Sequence, residues 1–167
     1  MTIDPASDRD LDIMKFQLGR PMRDVVGVAA RCVCGAPTVV ATKPRLADGS
    51  PFPTFYYLTH PGATAALSTL EANGFMVIEQ DKLAVEPEFA AAYTAAHLAY
   101  IADRDAHGQI DELDGISAGG MPSRVKCLHA LAAHSLAVGP GVNLVGDAAL
   151  AACTWSPERC VCAPETR

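Results

Sequence analysis

The sequence predicts an α+β domain, with a small antiparallel sheet of about three strands in the N-terminal half packed by four to five helices. Two observations carry that reading. Runs rich in β-branched and aromatic residues lie between Val25 and Thr59 and are broken by Gly and Pro clusters, whereas apolar residues three to four apart dominate from Pro61 onward. Half of the 167 residues are hydrophobic, which is enough for one core without staples. The domain is read as residues 1–156, followed by a C-terminal tail over 157–167.

Asp8 to Leu18 places Leu11, Met14 and Leu18 at helical spacing, and Gly19-Arg20-Pro21 stops the helix. Val25 to Arg31 and Thr38 to Thr42 form a hairpin around Cys34-Gly35-Ala36-Pro37, with Cys32 and Cys34 at its turn. A loop from Pro44 to Pro51 precedes a third strand, Phe52 to Thr59, which His60-Pro61 ends. Pro61 to Asn73 is a helix with Gly74 as its stop, and Phe75 to Val85 is open between strand and helix. Glu86-Pro87-Glu88 starts a long helix to about Ala106, along which Phe89, Tyr93, His97 and Tyr100 repeat. After an acidic, Gly-rich loop, Pro122 is expected to begin a helix to Val138, closed by Gly139-Pro140-Gly141, and a last helix runs to about Thr154.

With 13 Lys and Arg against 19 Asp and Glu, the net charge is −6 and the pI near 5.2, which argues against duplex nucleic acid or an anionic membrane as partner. A small anion or phosphate-bearing ligand and a protein partner stay open. No apolar run reaches the roughly 20 residues of a bilayer span. Met1 to Asp12 is acidic and polar, unlike an export leader, so a cytoplasmic location is expected.

Six cysteines in a reducing compartment point to metal binding or catalysis before a disulfide framework. Zinc and iron–sulfur sites favour thiolates with His as the usual substitute, and the quartet Cys32, His60, Cys127 and Cys160 offers one ligand from each of four segments. His134, seven residues after Cys127 and on the same helical face, is a further donor for that site. Cys32-Val33-Cys34 and Cys160-Val161-Cys162 allow a second reading as the four ligands of one cluster. Equally, any of these thiols can be a small buried hydrophobe, the reading given to Cys153 in its apolar run.

Ser117, Gly119 and Gly120 ahead of Arg124 and Lys126 suggest an anion-binding helix N-terminus, although the order of a phosphate-binding Walker loop is absent. Cys127, His129 and His134 are candidate catalytic residues, with Asp114 or Asp147 to orient the imidazole. On a helix begun at Pro122, His129 would point away from Cys127. The sequence carries neither a Cys–His hydrolase signature nor a Gly-x-Ser-x-Gly elbow.

From about Gln17 to Asp147 the chain resembles the bacterial domain of unknown function 501 family. The resemblance rests on Gln17-Leu18-Gly19-Arg20, Ala30-Arg31-Cys32, Asp48-Gly49-Ser50-Pro51-Phe52-Pro53-Thr54, Tyr56-Tyr57-Leu58-Thr59, Ser117-Ala118-Gly119-Gly120-Met121-Pro122, Arg124-Val125-Lys126-Cys127-Leu128-His129 and Gly139-Pro140-Gly141-Val142-Asn143. It implies a cytoplasmic housekeeping setting in high-GC Gram-positive bacteria, near genes of septum formation and polyphosphate breakdown, and brings no reaction with it. The family pattern matches Cys32 and Cys127, with a further C-terminal cysteine that Cys160 answers, whereas Cys34 and Cys162 look like additions. The residues thus lead to a metal-binding protein, zinc or iron–sulfur, beside an anion-binding helix. The alternatives are a metal-free interaction module linked to cell division and a thiol-dependent enzyme using Cys127.

Overall fold

The computed structural model describes residues 2–167 and is an α+β fold with three strands and six α-helices. Helix α1 (Asp8–Leu18) is followed by strands β1 (Val25–Arg31), β2 (Pro37–Thr42) and β3 (Tyr56–Leu58), then by α2 (Pro61–Ala72), α3 (Phe75–Val85), α4 (Pro87–Asp105), α5 (Leu128–Val138) and α6 (Leu144–Ala152). A 3-10 turn at Pro164–Thr166 ends the tail. Helix α1 starts on a reciprocal cap in which the Ser7 hydroxyl accepts from the Asp10 N–H while the Asp10 carboxylate accepts from the Ser7 N–H.

The sheet has the order β1-β2-β3 and is antiparallel throughout, with Val28 facing Val40 and Val40 facing Tyr57. All six residues of β2 are buried because both of its faces are covered. Val39 and Ala41 join the main core with α2, α4, α5 and α6, whereas Val40 packs with Val28 and Met14 under α1. Side chains alternate across a strand, so two different helical layers read the same six residues.

Helix α5 is the centre of the molecule. Leu128 and every residue from Ala130 to Ser135 are buried, as expected for a helix apolar on all sides. It crosses α6 at Gly146, where a Cβ would lie 2.2 Å from the Leu131 carbonyl oxygen and 2.4 Å from the Ser135 hydroxyl. On the sheet side, His134 lies between Tyr56 and Tyr100, its ring 5.5 Å from the first in a near-parallel stack and 5.2 Å edge-on from the second. Its Nδ1 meets the Asn143 amide at 3.2 Å, while Nε2 has no partner among the described residues. Burial lowers its pKa to about 4.

Three elements refine the sequence reading, the first being strand β3, which keeps only Tyr56–Leu58 of the expected Phe52 to Thr59. Residues 75–85 are helical, which raises the helix count above the four to five expected. Helix α5 begins at Leu128 rather than Pro122. Gly119 and Gly120 take positive φ, and the N–H groups of Lys126 and Arg124 donate back to the carbonyls of Gly119 and Gly120. The segment closes on itself as a turn, in which the Arg124 and Lys126 N–H groups are spent. Among the described residues no helix is long and apolar enough to cross a membrane.

Two outcomes test this packing. Gly146→Ala should cost about 3 kcal/mol through overpacking against the α5 backbone, read as a lower urea midpoint. His134 binds its proton less readily folded than unfolded, so the stability it contributes is complete above pH 6.5 and is lost as pH falls toward 4. That decline should approach about 3 kcal/mol and become shallower in His134→Leu.

Candidate functional site

The hairpin between β1 and β2 turns at Cys32-Val33-Cys34-Gly35. The Cys32 N–H donates to the Ala36 carbonyl, the Gly35 N–H returns to the Cys32 carbonyl, and Gly35 takes φ +90°, a value that excludes most side chains. The C-terminal tail folds back onto this turn. The Val33 N–H donates to the Pro157 carbonyl at 3.0 Å, and Arg167 Nε donates to the Cys162 carbonyl at 3.0 Å. The fold-back brings Cys160 and Cys162 onto Cys32 and Cys34.

The four sulfurs all lie within 4.8 Å of one another, with Cys34 and Cys162 at 3.5 Å, and all are free thiols. Val33 and Val161, the middle residues of the two C-x-C arms, are exposed because their flanking sulfurs point inward. Ile13 and Ala36 wall the cluster on its protein side. Each arm bends back so that the N–H of its second cysteine favours the thiolate of its first, Cys34 on Cys32 and Cys162 on Cys160. Without a cation four such thiols cannot all ionise. Burial and the neighbouring sulfurs push Cys162 far above an ordinary thiol, burial raises Cys32, and the Cys162 N–H brings Cys160 down to about 7.

His60 touches the cluster but does not face it as a free donor of electrons. It caps α2, its Nδ1 accepting the N–H groups of Gly62 at 3.1 Å and Ala63 at 3.3 Å. The lone pair is therefore on Nδ1, and the neutral ring carries its proton on Nε2. That N–H points at Cys162 Sγ, 3.1 Å away. Burial holds the His60 pKa below its usual value, in keeping with a neutral ring. Beside the turn, Arg31 reaches Asp10 at 2.7 Å and the Gly35 carbonyl at 2.9 Å, locking α1 against the hairpin. The Arg31 guanidinium holds the Asp10 carboxyl at about 2.

Cys127, the remaining member of the predicted quartet, belongs to a second constellation. It is the residue before α5, in extended conformation (φ −152°, ψ 105°), so the 100° step per residue of a helix does not separate it from His129. Its sulfur lies 3.8 Å from His129 Nδ1, contrary to the expectation that His129 points away. Glu71 of α2 completes the group, with Oε1 3.2 Å from His129 Nδ1 and 2.7 Å from the Leu128 N–H. Nothing in the sequence marked Glu71, which meets Leu128 across 57 positions.

The structure also separates the other candidates. His134 is a core residue against Tyr56 and Tyr100, and Asp147 accepts the Gly141 N–H at 2.7 Å, so neither joins Cys127. Ser117 is buried against His97 Nδ1 at 2.8 Å, while the side chains of Arg124 and Lys126 are exposed. The α5 N-terminus that an anion would seek is met by the protein's own Glu71 carboxylate.

Fold and sulfur cluster together define a small α+β protein with a four-thiol donor set of the kind that could hold a metal ion. The chain belongs to the family described as "Protein of unknown function (DUF501)", whose model matches residues 28–151. No curated protein and no solved structure matches the chain. Cys32, Cys34, His60, Glu71, Cys127 and His129 fall inside the matched range, and Cys160 and Cys162 fall beyond it.

The hairpin and tail hold the cluster from opposite ends of the chain. Arg31→Gln should therefore loosen α1 and the turn at pH 7, where Asp10 is ionised, and cost about 2 kcal/mol. The Asp10 contribution is present above about pH 4 and is lost as pH falls toward 2, so the difference between the proteins should shrink with acid in urea melts.

Proposed function

We propose that this protein binds one zinc ion through Cys32, Cys34, Cys160 and Cys162, and that the bound metal ties the C-terminal tail to the hairpin. The observation that carries this reading is the mutual approach of all four sulfurs within 4.8 Å. A tetrahedral zinc with bonds of about 2.3 Å separates its sulfurs by about 3.8 Å, which suits this spacing. A four-iron cluster assigns each thiolate to a different iron and spreads the cysteines further apart, so the spacing favours a single ion over the iron–sulfur alternative. His60 supports the reading from outside the ligand set, as its Nε2–H is placed to hydrogen-bond the Cys162 thiolate. Four protein ligands leave no open position, so the role is structural, and thiolates kept from oxidation suit the reducing cytoplasm.

Elemental analysis of untagged protein should find one zinc per chain. Cys32→Ser and Cys162→Ser should lose it, Cys127→Ser should keep it, and a chelator should lower stability by about 3 kcal/mol or more. Iron with inorganic sulfide would replace zinc by a cluster, and the absence of any stoichiometric metal would end the proposal. His60→Ala should retain zinc with affinity reduced about tenfold, read by competition with a chromogenic chelator.

A further inference from the structure

The second constellation lies at a cleft of about 460 Å³ between β3, the 117–119 turn and the start of α5. Cys127 and His129 line it together with Tyr57, Leu58, Thr64 and Ala118. His129 is held from both nitrogens. Its Nε2 is 3.1 Å from the Thr64 carbonyl oxygen and 3.1 Å from the Ser68 hydroxyl, so Nε2 carries a proton toward the carbonyl. Its Nδ1 faces the Glu71 carboxylate, an acceptor that a lone pair would repel and an N–H satisfies, with the Cys127 sulfur beside it. The partners of both nitrogens thus favour an imidazolium, whose charge in turn favours ionisation of the sulfur beside it.

We propose that Cys127 is a nucleophile paired with a protonated His129, that Glu71 positions and charges that histidine, and that the cleft takes an ester or thioester with an uncharged acyl group. The substrate class follows from the walls. Among the described residues no Lys or Arg lines the cleft, and the His129 charge is already matched by Glu71 and Cys127, so phosphate finds no free cation there, whereas Tyr57, Leu58 and Ala118 suit an apolar acyl chain. The thiolate lines the same space, half-buried rather than sealed.

The reaction balances with water as the co-substrate. The Cys127 thiolate adds to the carbonyl carbon and forms a C–S bond, and the carbonyl electron pair moves to oxygen. That pair returns as the bond to the alkoxide or thiolate leaving group breaks, and the departing group takes the proton of His129 Nδ1. Water then adds to the thioester carbon and gives a proton to Nδ1. The C–S bond breaks, releasing the carboxylic acid and restoring the thiolate and imidazolium. Glu71 acts through His129, whose Nδ1 it faces, and through the α5 N-terminus, and it forms no bond to the substrate.

The ionisation behaviour agrees with this geometry. Burial and, to a smaller extent, the Glu71 charge oppose the Cys127 thiolate, but His129 and the Ala130 N–H outweigh them and leave the thiol below its ordinary value. Cys127 and Glu71 raise His129 to about 9 against its burial. These two are the titratable groups that face the ring, and Thr64 and Ser68 face its other nitrogen.

The full chain is treated at pH 7 with iodoacetamide and mapped by peptide mass, with Cys153, likewise half-buried, as the internal comparison. Cys127 should alkylate about tenfold faster than Cys153, and His129→Asn should abolish the difference. With p-nitrophenyl acetate as probe, an acetyl adduct should form on Cys127, and p-nitrophenolate release should be lost in both Cys127→Ser and Cys127→Ala. The rate should fall on the alkaline side near pH 9, and in Glu71→Gln that fall should move to lower pH, while the amide oxygen can still accept the Leu128 N–H. Equal alkylation of Cys127 and Cys153, release undiminished without Cys127, or a second zinc whose removal unmasks Cys127 would each overturn the proposal. Each arm is read apart from the Cys32, Cys34, Cys160 and Cys162 metal content.

Discussion

The rest of the structure depends on the burial of α5 on every side. A helix with no polar face cannot sit on a surface, so β3, α2 and α6 must close around it. The closure is tight enough that α6 presents Gly146 to the Leu131 carbonyl. It also forces the buried N-terminus of α5 to find a partner inside the protein, and Glu71 of α2 supplies it. The carboxylate that satisfies the helix is the same one that reaches His129, so packing and site geometry share one residue.

The loop that feeds α5 is fastened by a second set of buried polar groups. Arg104, fully buried at the end of α4, donates to the carbonyls of Leu113 and Ile116 and pairs with Asp105 at 2.8 Å. A buried guanidinium is tolerable only with such complete pairing. His97 then holds Ser117, and Gln80 of α3 accepts the Val125 N–H at 2.9 Å and donates to the Ser123 carbonyl. Residues 113–125 are thus tied to α3 and α4 before the chain enters the core. The motif Ser117-Ala118-Gly119-Gly120 serves that turn, since a Cβ on Gly119 would come within 2.6 Å of Leu131.

The two cysteine sites are built on opposite principles. At the hairpin and tail, four thiols crowd together and burial resists the ionisation of Cys32 and Cys162, a frustration that a divalent cation would relieve. At Cys127, one thiol is already matched by one imidazole, and a carboxylate holds the imidazole charged. His60 and His129 show the same side chain set to different tautomeric states by the other nitrogen. In His60 two backbone N–H groups claim Nδ1 and keep the ring neutral, whereas in His129 the Thr64 carbonyl and the Glu71 carboxylate both demand protons.

The sequence by itself determined the α+β class, the hairpin with Cys32 and Cys34 at its turn, and nearly every helix, because periodicity, Pro at first turns and Gly at stops are local signals. It also held the two C-x-C arms as one of two ways to group the thiols. Only the tertiary structure decided between them, since residues 128 positions apart meet through the fold-back of the tail, and no spacing rule encodes that distance. The start of α5 escaped local reading because Gly119 and Gly120 adopt positive φ and their carbonyls take the Lys126 and Arg124 N–H groups in a turn, overriding Pro122 as a helix opener. That shift of the helix start took Cys127 out of the helix and set its sulfur against His129. Glu71 was illegible for the same physical reason: a lone glutamate on an amphipathic helix is ordinary until another element's buried N-terminus comes to rest on it.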